Sequence, residues 1–85
     1  MKTFEYTVTA ADGLHARPAG LLAQFAQSLD SDITLMCDGK SANAKKLFSI
    51  MALNVKEGAA IELAVSGKKE EQELKAVGEF CRSNL

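Results

Sequence analysis

The hydrophobic period of this chain switches repeatedly between two residues and three to four, and that switching limits the available folds more than any other feature. Over Lys2 to Thr9, Phe4, Tyr6 and Val8 alternate with Thr3, Glu5, Thr7 and Thr9, which predicts a strand buried on one side. Ala11-Asp12-Gly13 breaks it. Pro18, Leu21, Leu22, Phe25, Ala26 and Leu29 then recur at helical spacing, while Arg17, Gln24, Gln27 and Ser28 fall elsewhere, so a helix is expected over about residues 16–28. Ile33, Leu35 and Cys37 restore the alternation as a second strand. Asp38-Gly39 suits a type I′ turn, which needs positive φ at both positions, and leads into a weaker third strand from Lys40 to Asn43. A short helix over about Leu47 to Leu53 follows, with Asn54 as its left-handed closing residue. Ile61, Leu63 and Val65 mark a fourth strand, ended by Ser66-Gly67. A last helix over about Glu70 to Ser83 buries Leu74, Val77, Phe80 and Cys81.

The order β-α-β-β-α-β-α has few solutions. A strand joined through a helix to a second, parallel strand crosses over one sheet face with right-handed sense. The hairpin makes the third strand antiparallel to the second, and the fourth can fill the gap between the first and second, as in split βαβ folds. Alternating strands leave one sheet face wet, so all three helices cover the other. The expected class is α+β: an open-faced β-sandwich, a four-stranded antiparallel sheet with three helices on one face, formed by residues 1–85 as a single domain.

Composition removes several function classes. Ten Lys+Arg against 11 Asp+Glu leave a formal net charge of −1, which argues against nucleic-acid binding or a membrane-surface role built on bulk charge. No apolar run approaches the roughly 20 residues of a membrane span, and Met1 to Tyr6 holds no signal-peptide core, so the expected location is the cytoplasm. Cys37 and Cys81 fit no C-x-x-C or zinc spacing, and buried thiols in a reducing compartment are expected rather than a disulfide. No second histidine and no cysteine pair lies near His15 to hold a metal. A stand-alone hydrolase or kinase is disfavoured too, since one histidine, no nucleotide loop and no carboxylate pair give it too few parts.

The only histidine and the only proline, His15 and Pro18, stand together where the first helix begins. Pro18 suits a first helical turn, because the N–H it lacks would be unpaired there anyway. The remaining free N–H groups and the positive end of the helix dipole make an anion site, and the same dipole disfavours an imidazolium, leaving the ring neutral and nucleophilic near neutral pH. Arg17 supplies a fixed positive charge suited to a phosphate. Nucleophile, amide donors and guanidinium together describe a group that accepts and holds a phosphoryl on nitrogen. The residues alone leave open a plainer reading, a surface or capping histidine.

"GLHARPAGLLAQFA" resembles the active-site segment of the HPr family, the histidine-containing phosphocarriers of the bacterial phosphoenolpyruvate:sugar phosphotransferase system. The likeness extends over essentially the whole chain, through Asp38-Gly39-Lys40, "KKLFSIMAL", Lys56-Glu57-Gly58 and "IELAVSG". It implies that His15 is phosphorylated on Nδ1 by enzyme I, which uses phosphoenolpyruvate and Mg²⁺, while this chain needs no cofactor. His15 would then pass the group to a histidine on an enzyme II A-domain. Arg17 would contact the phosphoryl group, and the backbone at Ala16 and Arg17, ahead of Pro18, would cap it. Transcriptional or metabolic regulators are further partners that the resemblance brings in, and a monomeric carrier rather than an enzyme is expected. Two alternatives are a paralogous carrier in a nitrogen-related or regulatory phosphorelay and a purely regulatory binding module. The second is disfavoured by the presence of His15, since such modules in this family often lack it.

The short helix holds more apolar residues than one buried face can use. At 100° per residue Leu47, Phe48 and Met51 group on one side, with Ile50 and Leu53 on another. Ile50 and Leu53 are assigned to the core; the trio then stays partly exposed as a docking surface, unless the helix is deeply buried all round. The resemblance puts the enzyme I and enzyme II contacts on that trio. Gly20 would let a partner approach His15, or relieve packing against the sheet. Lys46 stands where many members of the family carry a serine phosphorylated by a dedicated kinase; a lysine cannot accept that phosphate, so no regulatory site is expected. Lys45 and Lys46 either attract an acidic partner or simply begin a solvated helix.

Overall fold

Alternating side chains sort onto the two faces of one sheet. In a computed structural model, which describes all 85 residues, the elements are β1 (Lys2–Thr7), α1 (Ala16–Gln27), β2 (Asp32–Cys37), β3 (Lys40–Asn43), α2 (Leu47–Ala52), β4 (Ala60–Ser66) and α3 (Glu70–Asn84). The strands lie in the order β1-β4-β2-β3, every adjacent pair antiparallel. Leu63 of β4 sits between Phe4 of β1 and Leu35 of β2, with Tyr6 opposite Ile61 and Ile33 opposite Val65. These apolar positions are covered by the helices; Thr3, Glu5, Thr34, Met36 and Glu62 alternate onto the open face. The hairpin closes as its sequence requires, with Asp38 at φ 52° and Gly39 at φ 77°.

All three helices feed one core. Leu22 of α1, Ile50 of α2 and Val77 and Cys81 of α3 meet Ile33, Leu35, Leu63 and Val65 of the sheet, each essentially sealed from water. A fully buried Leu or Ile stabilises by about 1.5–3 kcal/mol, so this set holds most of the fold together. Phe25 of α1 and Phe80 of α3 stack with ring centroids 4.6 Å apart and 9° between planes. Cys37 and Cys81 are unbridged and buried; burial pushes the Cys81 thiol up to about 12.

Two expectations are corrected. β1 ends at Thr7 rather than Thr9, because the Thr9 and Ala10 N–H groups donate to the Leu85 main-chain oxygen at 2.6 and 2.8 Å instead of extending the sheet. The buried stripe of α1 is Pro18, Ala19, Leu22, Ala23 and Ala26, while Leu21 is 40 % exposed. Small alanines let the helix pack closely against its neighbours, α2 above all, and that orientation turns Leu21 outward with Arg17 and Gly20, at i, i+3 and i+4 on one face.

Glu73 is a feature the pattern does not announce. From the first turn of α3 its carboxylate accepts the Ser31 N–H at 2.8 Å on Oε1 and the Asp30 N–H at 3.0 Å on Oε2, clamping the α1–β2 junction. Hydrogen bonding from Ser31, then that from the Asp30 N–H and the charge of Lys69, holds its carboxyl below the usual range against the cost of desolvation. A lowered folded value contributes stability that is complete above the ordinary glutamate pKa of about 4.3 and is lost as pH falls through the folded one. Glu73→Gln is therefore expected to unfold at lower urea concentration near neutral pH. The gap from the parent should narrow as the pH is taken from about 5 toward 3. Urea titrations followed by circular dichroism check this; an equal gap at every pH would mean that the charge plays no part.

Candidate functional site

The segment between β1 and α1 is shaped by backbone against backbone. Gly13 turns at φ +65°, its N–H donating to Ala10 O at 2.9 Å. Leu14 is buried, and its N–H donates to Val55 O at 3.0 Å. A Cβ on Gly13 would fall 2.2 Å from Val55 O and 2.7 Å from Lys56 Cα, so only glycine lets the two strands of chain lie this close. With Leu14 pointing inward, His15 is turned out to solvent as the N-cap residue of α1, at φ −74° and ψ −173°.

An N-cap side chain usually bonds an exposed amide of the first turn. His15 makes no such bond; its main-chain oxygen accepts the Ala19 N–H at 3.0 Å, leaving the imidazole uncommitted. Pro18 has no N–H and Ala19 is paired, so the donors left open at the helix start are those of Ala16 and Arg17. Arg17 is exposed and belongs to none of the ion pairs. His15, Ala16, Arg17 and Pro18 thus lie together at the helix start: a free ring, two open donors and an unpaired guanidinium.

Next to His15 lies a shallow cavity of about 230 Å³ lined by Asp12, Leu14, Met51, Asn54, Val55 and Lys56. A larger hollow of about 450 Å³ at the edge of the open sheet face is lined by Glu5, Asp38 and Glu62, carboxylates that would repel a phosphoryl group. No cluster of three His, Cys, Asp or Glu side chains that could hold a metal ion is present. No helix is long and apolar enough to cross a membrane.

Met51 joins this cavity to the apolar trio of α2. Phe48 is 81 % exposed, Met51 is exposed and Leu47 is half-buried against the core, while Ile50 is buried and Leu53 half-buried. The helix is not buried all round. A Cβ on Gly20 would meet nothing, so that glycine does not relieve packing. Leu21, on the exposed face of α1 with Gly20 and Arg17, is an apolar candidate that periodicity had assigned to the core. Lys45 and Lys46 part company. Lys45 is tied down, its Nζ donating to Leu29 O at 3.0 Å and its main-chain oxygen accepting from Gln27 at 2.8 Å. Lys46 is the exposed N-cap of α2, and its side chain makes no capping bond.

The comparisons with known proteins bear on this arrangement. The family model described as the PTS HPr component phosphorylation site matches residues 2–83. Among solved structures, the chain is similar to HPr-C-His from Thermoanaerobacter tengcongensis, with 37% identity over 99% of this chain and 94% of that one and a TM-score of 0.92. It is similar to the phosphocarrier protein HPr of Bacillus anthracis, with 34% identity over 94% of this chain and 95% of that one and a TM-score of 0.86. It also resembles Crh, the catabolite repression protein of Bacillus subtilis, solved as a swapped dimer, with 33% identity over 100% and 98% of the two chains and a TM-score of 0.76.

Proposed function

The chain belongs to the HPr family of phosphocarriers, and we propose that His15 takes a phosphoryl group on Nδ1 from phospho-enzyme I and hands it to sugar-specific enzyme II A-domains. The observation that supports this most is the uncommitted His15 ring beside the unpaired Ala16 and Arg17 N–H groups. The ring attacks phosphorus; the two amides and the Arg17 guanidinium receive the oxygens. Helix dipole and guanidinium favour the dianion, which stabilises the phosphorylated state long enough to be carried. Enzyme I uses phosphoenolpyruvate and Mg²⁺, and this chain needs no cofactor of its own. Partners would rest on Phe48, Met51 and the exposed part of Leu47, passing close over Gly20. In this reading the carrier acts as a monomer. The Crh neighbour favours a regulatory role as the second reading.

The test mixes the protein with phosphoenolpyruvate, Mg²⁺ and a bacterial enzyme I, and follows intact mass and the phosphorus NMR spectrum. One phosphoryl group that survives base and is lost in acid is the expected result. No uptake from enzymes I of several sources, with the fold intact, would shift the reading to the regulatory one.

A further inference from the structure

The cavity beside His15 has a wall that the carrier reading leaves unused. The Leu14 N–H bond to Val55 O and the flush packing of Gly13 on Lys56 Cα fix the Asn54–Lys56 segment next to the histidine by main chain alone. Lys56 lines the cavity, is exposed, and takes part in no ion pair, including with Asp12, the carboxylate that shares the cavity. Asn54 holds φ +54°, a conformation that costs a non-glycine residue about 1 kcal/mol, and so keeps an amide side chain in the wall where glycine would be the easier choice. Charge counting gives the cavity a need for Lys56. Without Lys56 the one fixed charge in its lining is the Asp12 carboxylate, and a dianion would be held poorly there.

We propose that Lys56, with the Asn54 amide beside it, forms the second half of the phosphoryl seat, facing the half that α1 supplies through Arg17 and the two amides. The proposal rests on His15 being the acceptor. In the transfer step a lone pair on the His15 ring attacks phosphorus. The new N–P bond forms as the bond from phosphorus to the donor group of phospho-enzyme I breaks, its electron pair leaving with the donor. Negative charge is spread over the three oxygens of the group in flight. The Ala16 and Arg17 donors are fixed on one side; Lys56, a point charge on a flexible stem, can follow the oxygens on the other.

The experiment compares the parent with Lys56→Gln, Lys56→Arg and Asn54→Gly, using phosphoenolpyruvate and enzyme I. The readouts are the uptake rate and the phosphorus NMR titration of the phosphohistidine. Lys56→Gln should slow uptake by about tenfold, the effect of one lost charge-assisted hydrogen bond, and move the phosphoryl titration to higher pH. Lys56→Arg should restore both. Asn54→Gly should be at least as stable as the parent and yet transfer more slowly, the opposite of what a merely structural asparagine would do. A Lys56→Gln chain with a raised KM for enzyme I and an unmoved phosphorus titration would overturn the proposal, because Lys56 would then only dock the partner. A parent chain that takes no phosphate would remove the carrier reading itself, and the proposal with it.

Discussion

A His15→Ala chain should take up no phosphate and melt at the temperature of the parent. Both halves of that expectation come from the same geometry. The side chain is exposed and makes no capping bond, and the N-cap function of residue 15 is carried by its main-chain oxygen, which alanine keeps. Its extended backbone angles suit any residue. The stability change should therefore stay within about 0.5 kcal/mol, as for a surface substitution away from special features. Uptake should fall to background because the chain has no second histidine to take over. Intact mass after incubation with phosphoenolpyruvate and enzyme I, together with a thermal melt, reads both. Residual phosphorylation would place the acceptor on another side chain.

Gly13→Ala should do the reverse: it should damage the fold first and uptake as a consequence. The methyl would sit 2.2 Å from Val55 O, 2.7 Å from Lys56 Cα and 2.9 Å from Lys56 C, all main-chain atoms with no rotamer to escape into. Neither side can retreat cheaply, since Leu14 and Val55 are each 4 % exposed and bonded to one another. Positive φ adds about 1–2 kcal/mol of strain, and overpacking about 1–3 kcal/mol more. A total loss near 3 kcal/mol is a large part of the stability of a small domain, and corresponds to a fall of roughly 12 °C or more in Tm. Gly39 is the control: a Cβ there meets nothing, so an alanine carries only the conformational strain. A Gly13→Ala chain that melted with the parent would show that the two segments are not clamped.

Local signals were legible in the sequence and long-range ones were not. Strand alternation, the Asp38-Gly39 turn and the left-handed Asn54 each depend on a few neighbouring residues, and each falls where expected. His15, Arg17 and Pro18 were readable for the same reason, since a helix entrance is a local object. Leu21 was assigned to the core because a helical stripe can be drawn through it. Which stripe is buried was decided by small alanines meeting neighbouring elements, α2 above all, that the helix sequence does not contain. Glu73 reads as an ordinary first-turn acid, and only the fold brings it to the Asp30 and Ser31 amides. Asn54 and Lys56 join His15 through contacts made by Gly13 and Leu14, so composition and spacing could not gather them into one cavity.

The strand order has a consequence for how the molecule comes into being. β4 lies between β1 and β2 although it is the sixth element of seven along the chain. During synthesis, β1 has no strand to pair with and β2 has only its hairpin partner until residues 60–66 have emerged. Pairings between distant segments also form late, because the loop entropy must be met before the contact repays it. The segment carrying His15 lies between β1 and α1, and its contacts are with Val55 and Lys56, about forty residues further along the chain. An unfinished chain on the ribosome therefore holds the histidine without the contacts to Val55 and Lys56 that fix the backbone around it.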